Sequence, residues 1–124
     1  MRDAISTPRE PDPFDWPAPI DQAAYHGLVG DILKTLDPHT EADPVAILVQ
    51  LLAAFGNVIG TQPHFVAEAD RHSLKLFTVL VGTSSKGRKG ASWGHVRRLI
   101  GCVDSEWKDH RIFDGLSTGE GLIF

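Results

Sequence analysis

The feature that most constrains the fold is an apolar run in the middle of the chain. Only one of the eleven residues from Val45 to Phe55 is polar, namely Gln50. Asp43 and Pro44 precede the run. This pair is typical of a helix start, because an acidic N-cap accepts backbone hydrogen bonds and proline fits the first helical position. The sequence therefore predicts a helix that is apolar nearly all round and is buried in the core.

The same run raises the question of a membrane span. Residues 44–63 carry no charge, and about 20 apolar residues are enough to cross a bilayer. However, polar side chains interrupt the stretch, and Gly56 or Gly60 is expected to end the helix before Pro63. We therefore expect a core helix and no membrane as a partner.

The residues before this helix divide into two parts. Residues 1–19 are rich in proline and show no hydrophobic period, which predicts a disordered or extended arm. Residues 20–62 are expected to form a helical lead-in. Its first helix would have Asp21 as N-cap, and apolar residues recur every four positions from Ala24 to Leu36.

The hydrophobic period changes after residue 62. Two runs, HFVAEAD and SLKLFTVLVG, flank residues 70–72 and predict two strands joined by a short turn. The second strand should become fully buried over residues 77–81, directly before Gly82. A helix with one apolar face is expected from Ala91 to Val103. That face consists of Val96, Leu99, Ile100 and Val103.

Between this strand and this helix lies a basic, glycine-rich stretch, VGTSSKGRKGAS, at residues 81–92. Its first half fits the phosphate-loop pattern G-x-x-x-x-G-K-[ST], with Gly82 and Gly87 as the two glycines. The lysine comes one residue late, because Arg88 takes its position and Lys89 follows. Either the loop bulges by one residue or the arginine replaces the lysine. Strand, glycine loop and helix form the context that the motif requires.

These residue types suit the binding of nucleotide phosphates. Glycines let backbone N–H groups approach a polyphosphate closely, and the N-terminus of the following helix adds positive charge. Basic side chains then contact the phosphate oxygens, and a hydroxyl holds Mg²⁺. Candidate ligands are the glycines Gly82, Gly87 and Gly90, the cations Lys86, Arg88 and Lys89, and the hydroxyls of Ser84, Ser85 and Ser92. Because Gly90 stands where the motif has its hydroxyl, Ser92 is the candidate Mg²⁺ ligand.

The charge distribution supports an anionic ligand in this part of the chain. Residues 1–44 have a formal charge of −6, from nine acids and three bases, whereas residues 86–111 have +4, from seven bases and three acids. Residues 82–98 contain no acid. This balance favours nucleotide phosphate or nucleic acid as the partner. The alternative is a structural turn with a solvated basic cluster.

Four segments together resemble a known group of proteins. They are VGTSSKGRKGASW, RIFDGLSTGEGLI, WPAPIDQAAYHGLVGDIL and DPHTEADPVAILVQLLAAFGNVIG, and they span most of residues 16–124. The chain resembles the P-loop ATPase-like proteins of phage and plasmid replication modules. These are similar to RepA-like and RecA-type helicases and are often fused to primase-polymerase domains. The resemblance implies an α/β fold in which a RecA-like core of parallel strands between helices starts near Leu76.

The same resemblance implies ATP and Mg²⁺ as cofactors, DNA as a partner, and a homo-oligomer in the full-length parent. In such an ATPase, Glu120 would follow the strand RIFDGL and activate the attacking water. From the residues alone, Glu120 could instead be the capping-box partner of Ser117 or Thr118. Residues 63–124 would then be the start of a nucleotide-binding domain whose sheet is incomplete. We expect such a truncated chain to bind ATP without hydrolysing it on its own.

Other kinds of site have less support. The single cysteine, Cys102, excludes an internal disulfide, and the N-terminus lacks the pattern of a secretion signal, so a cytoplasmic location is expected. The six histidines have no spacing that suits zinc. Trp93 and Trp107 could stack on single-stranded nucleic acid or pack on the sheet or the upstream helices.

The alternative to nucleotide binding is a non-catalytic helical module that binds nucleic acid or a partner protein through its basic face.

Overall fold

The computed structural model describes residues 18–82 and 88–115. Within these residues the main elements are helices and one β-hairpin. They are α1 (Gly27–Leu36), α2 (Pro44–Ile59), β1 (His64–Ala67), β2 (Asp70–Ser73), α3 (Lys89–Val103) and α4 (Ser105–His110). Short 3₁₀ turns at Gln22–Ala24 and Asp37–His39 flank α1.

The central apolar run forms α2, which starts as predicted. Asp43 caps the helix, because its Oδ1 accepts a hydrogen bond from the backbone N–H of Val45 at 2.8 Å. Of the two glycines that could end it, Gly56 lies inside the helix and Gly60 follows its last residue. The φ of Gly60 is 74°, a conformation that glycine adopts without steric cost.

The burial of α2 is one-sided. It packs mainly against α3 and contributes four apolar residues to the core, Ile47, Leu48, Leu51 and Ala54. Leu52 and Phe55 remain 38% and 49% exposed. The helix therefore belongs to the core, as predicted, but one of its flanks is open. In the described part of the chain, no helix is long and apolar enough to cross a membrane.

The predicted first helix is divided. Asp21 caps the 3₁₀ turn, since its Oδ1 accepts a hydrogen bond from the N–H of Ala23 at 2.7 Å. The α-helix begins only at Gly27. A Cβ built on Gly30 would lie 2.3 Å from the carbonyl oxygen of Tyr25. Glycine at position 30 therefore lets the chain fold back closely before α1.

The two strands are joined by a short turn as predicted, and β1 lies within the predicted first strand, but β2 differs from the prediction in position. They pair antiparallel, with Ala67 opposite Asp70. β2 thus occupies the residues that were expected to form the turn, and the turn lies at residues 68–69 instead. Phe65 stacks on His72 with 4.9 Å between the ring centroids. Cross-strand contacts of this kind favour the observed register.

The prediction of a buried strand over residues 77–81 is wrong. Residues 75–82 run without helix, turn or bend, and they belong to no strand. Phe77, Val79 and Val81 are 94%, 87% and 91% exposed. The physical reason is that no described element covers or pairs with the side of the segment that carries these side chains. Leu74, which precedes the segment, does contact α2, at Gly56.

The fold is α/β only in the coarse sense that helices and a small sheet occur together. The described residues form a single two-stranded antiparallel sheet. They do not form the parallel strands of a RecA-like core that the sequence led us to expect near Leu76. Residues 111–115, the described part of the expected strand RIFDGL, also have no strand structure.

Helix α3 packs on α2 and contributes to the same core. It starts at Lys89, two residues before the predicted start, and ends at Val103 as predicted. Val96 and Ile100 are buried, but Val103 is 81% exposed. The predicted apolar face is therefore correct except at its last member.

Trp107 packs the short helix α4 against the core. Trp107 is 3% exposed, and its Nε1 donates a hydrogen bond to Oδ1 of Asn57 on α2 at 2.7 Å. Trp93 of α3 meets the same ring edge-on, with 6.3 Å between the centroids. Helices α2, α3 and α4 are thus joined at one point.

Candidate phosphate-binding site

A groove lies where the starts of α2 and α3 meet the segment that precedes the glycine-rich loop. Its volume is about 660 Å³. It is lined by residues 41–46, 80–82 and 88–89. Because α2 and α3 pack against each other, the contact that builds the core also places the first residues of both helices at this groove.

The N-terminus of α3 has no side-chain cap. Arg88, the residue before the helix, has a left-handed φ of 38° and makes no capping hydrogen bond. The N–H groups of Ala91 and Ser92 bond to the carbonyl of Arg88 at 3.0 and 3.2 Å. Those of Lys89 and Gly90 have no partner among the residues that the structure describes. Unpaired N–H groups at the positive end of a helix are donors for an anion.

Lys89 bridges the two ends of the glycine-rich loop. Its Nζ donates to the carbonyl oxygen of Gly82 at 3.4 Å, and both residues are exposed. An ammonium group has three donors, so this one long bond leaves capacity for further acceptors. The lysine that is displaced by one residue in the motif is therefore positioned to reach a ligand in the groove.

Arg88 is paired with an acid that the sequence motif did not indicate. Its guanidinium forms an ion pair with the carboxylate of Glu41, and the two side chains are 54% and 70% exposed. An exposed pair of this kind contributes at most about 1 kcal/mol. Phosphate offers the guanidinium a stronger, bidentate partner. A phosphate could therefore replace Glu41 at small energetic cost.

Two carboxylates make the groove less basic than the local sequence suggests. Glu41 and Asp43 line it together with Arg88 and Lys89. They precede the glycine-rich loop by some forty positions, so the acid-free character of residues 82–98 does not reveal them. For the presence of these carboxylates at the groove, the sequence offered only the N-cap motif at Asp43. That motif indicated the start of a helix but not that this start lies beside the loop.

Ser92 lies next to the groove, not among the residues that line it. It is 1% exposed, and its Oγ donates to the carbonyl of Lys89 at 2.9 Å. This bond uses the hydroxyl proton and leaves the oxygen lone pairs as acceptors, and the role of Ser92 as Mg²⁺ ligand stays a prediction. Gly90 is exposed, and a Cβ built there would meet no atom of the described residues within 4 Å. Among those residues, none therefore covers the first turn of α3 at Gly90.

The structure brings together five of the predicted site residues. Gly82, Arg88 and Lys89 line the groove, and Gly90 and Ser92 lie on the first turn of α3. The remaining predicted residues, Ser84, Ser85, Lys86, Gly87 and Glu120, lie outside the described residues. Their roles stay predictions.

A second groove, of about 1090 Å³, lies between residues 18–22, α1 and the start of α2. Tyr25 lines it, and its pKa is raised above the ordinary 10.0 by burial and, to a smaller extent, by the charge of Asp43. The phenol therefore stays neutral through the physiological range.

In the described ranges, no three His, Cys, Asp or Glu side chains are grouped to hold a metal ion.

The two tryptophans do not offer a platform for nucleic-acid bases. Trp107 is buried, and Trp93 is partly buried against it. Of the two predictions for these residues, packing on the upstream helices is confirmed for Trp107 by its bond to Asn57.

No protein-family model matches this chain, and neither the curated proteins nor the solved structures give a significant match. Its function has to be argued from the geometry of the groove and from the motif beside it.

Proposed function

We propose that this chain binds the phosphates of a nucleotide, ATP with Mg²⁺, at the groove between α2 and α3. One observation carries the proposal. Helix α3 starts directly behind the glycine-rich loop with an uncapped N-terminus, and Lys89 on its first turn reaches back across the loop to Gly82.

A polyphosphate suits this arrangement better than a single carboxylate. At the groove, the N–H groups of Lys89 and Gly90, which have no partner among the described residues, lie beside the cationic groups of Lys89 and Arg88. These donors lie on one short stretch of chain and can contact several oxygens at once. The phosphate-loop pattern predicts that the glycines of the loop supply further backbone donors.

The described residues support binding and not hydrolysis. The two carboxylates at the groove both have partners, because Glu41 pairs with Arg88 and Asp43 caps α2. Neither is free to orient an attacking water. The activation of water by Glu120 remains part of the proposal only for a longer RecA-like parent that acts on DNA in replication.

A second candidate is a nucleic-acid-binding face on α3 and α4. Arg98, Lys108 and Arg111 are exposed on these helices. However, Arg97 lies 3.7 Å from the carboxylate of Asp114, and acids of α4 interrupt the surface. Nucleic-acid binding of this kind would weaken steeply as the salt concentration rises. Nucleotide binding, in contrast, would be weakened by the replacement of Lys89 alone.

The proposal is tested by calorimetric titration of the chain with Mg²⁺·ATP. Replacement of Lys89 by Ala should weaken binding about 10-fold or more, because a hydrogen bond to a charged group contributes roughly 1.5–3 kcal/mol. Lys34→Ala is the matched control, since Lys34 is an exposed helical lysine that does not line the groove. Equal affinity of the Lys89→Ala variant and the wild-type chain would contradict the proposal.

A further inference from the structure

The segment from Leu76 to Gly82 exposes apolar side chains to an unusual degree. Phe77, Val79 and Val81 are each about nine-tenths exposed, at 94%, 87% and 91%. Their spacing of two places them on one side of a chain that runs without turn or bend. Large contiguous apolar surfaces of this kind mark interaction sites.

The backbone of the segment has no backbone partner among the described residues either. The pairing of β1 with β2 ends at Ser73. Among the described residues, no backbone N–H or C=O of residues 76–82 bonds to another backbone group, and only the carbonyl of Gly82 accepts a bond, from Lys89. An open row of such groups is a template for the addition of a strand.

The usual protection of a free strand edge is missing here. Residues 76–82 contain no charged residue and no proline, and the nearest charge is Lys75. Natural proteins place lysine, proline or a bulge on edges that must stay unpaired. The composition of this segment therefore fits an edge that is paired, and an uncharged, apolar strand is the partner that matches it.

We infer that two copies of this chain pair antiparallel through residues 76–82, around a two-fold axis at Val79. In this register Phe77 lies opposite Val81 of the partner subunit, and the same contact recurs on the other side of the axis. Aromatic residues opposite β-branched ones are favourable cross-strand pairs. Lys75 falls outside the paired stretch, so no two cations meet. The segment is self-complementary, which is the requirement for a two-fold interface.

Apolar side chains outside the row of Phe77, Val79 and Val81 are exposed as well. Phe65, Val66, Leu74 and Leu76 are each half exposed or more, at 62%, 60%, 50% and 51%. A stable interface buries ~800 Å² per partner, so apolar side chains next to the paired stretch have to contribute, and Leu74 is the nearest of these along the chain. The inference does not depend on nucleotide binding.

Sedimentation of the 124-residue chain over a range of concentrations tests the dimer. We expect a monomer–dimer equilibrium that Val79→Lys weakens at least 10-fold, because two lysines would face each other at the axis. Val103→Lys is the matched control, since Val103 is also an exposed valine, at 81%, but lies at the end of α3. A monomer at every concentration, an assembly larger than a dimer, or an equal effect of both variants would overturn the inference.

Cross-linking tests the register independently of any loss of folding. Opposed residues of antiparallel strands have Cα atoms about 4.5–5.5 Å apart, within the range that a disulfide bridges. With Cys102 replaced by Ser, Val79→Cys should form a disulfide-linked dimer on mild oxidation, and Val103→Cys should not. Failure of Val79→Cys to cross-link, or equal cross-linking at both positions, would contradict pairing around Val79.

Discussion

Two glycines within helices have opposite surroundings, and this difference decides what an added methyl group would do. A Cβ on Gly56 of α2 would lie 1.7 Å from the carbonyl oxygen of Leu74. A Cβ on Gly94 of α3 would meet no atom within 4 Å. Helix propensity alone favours alanine over glycine at both positions.

We therefore expect Gly56→Ala to lower the free energy of unfolding by about 1–3 kcal/mol, because the backbone at Leu74 has to move. Gly94→Ala should raise it by about 0.5–1 kcal/mol, because only helix propensity acts there. Urea denaturation measures both. A gain of stability in Gly56→Ala would mean that Leu74 does not lie against α2 as described.

The ion pair between Glu41 and Arg88 leads to a prediction for the proposed site. Glu41→Gln removes an anion that competes with phosphate for Arg88, so the affinity for Mg²⁺·ATP should rise roughly 2- to 5-fold, in line with the energy of an exposed pair. Calorimetric titration measures the change. Glu106→Gln, which neutralises an exposed acid on α4, should leave the affinity unchanged. An unchanged or weaker affinity in Glu41→Gln would show that Arg88 does not contact the ligand.

At the scale of the elements, α2 and α3 were predictable, whereas of the strands only β1 was. The start of α2 follows from Asp43 and Pro44, whose local chemistry is sufficient to begin a helix. The span of α3 follows from apolar spacing that the core then uses, at Val96 and Ile100. These signals lie within a few residues of the structure that they determine.

The predictions for β2 and for the strand before Gly82 were wrong because the structure of these residues depends on their partners in the fold. The run before Gly82 reads as a buried strand, but burial needs a covering layer, and the described residues provide none on its outer side. The register of β1 and β2 was set by the turn at residues 68–69, where Glu68 has a φ of 55°. Glutamate is rarely found in that conformation, so the turn had no sequence signal.

The candidate site was predictable only in part for the same reason. The loop motif gave Gly82, Arg88 and Lys89, which line the groove. Glu41 and Asp43 reach it only because α2 packs on α3. Spacing within a motif cannot report a contact that tertiary packing creates.

At the scale of the whole molecule, the structure consists of one small core with two open features. The core gathers apolar residues of α1, α2, α3 and α4 around α2. The groove opens at the N-terminal ends of α2 and α3, and the exposed segment of residues 76–82 contributes Leu80, Val81 and Gly82 to its lining. The proposed nucleotide site and the proposed dimer contact therefore share these three residues.

The most direct test of nucleotide binding is thermal unfolding of the wild-type chain with and without Mg²⁺·ATP. A ligand that binds only the folded state adds about 2.7 kcal/mol of stability at 100 times its Kd. The account predicts an upward shift of Tm that grows with the logarithm of the ATP concentration. A cooperative transition at the same Tm at every ATP concentration would contradict it.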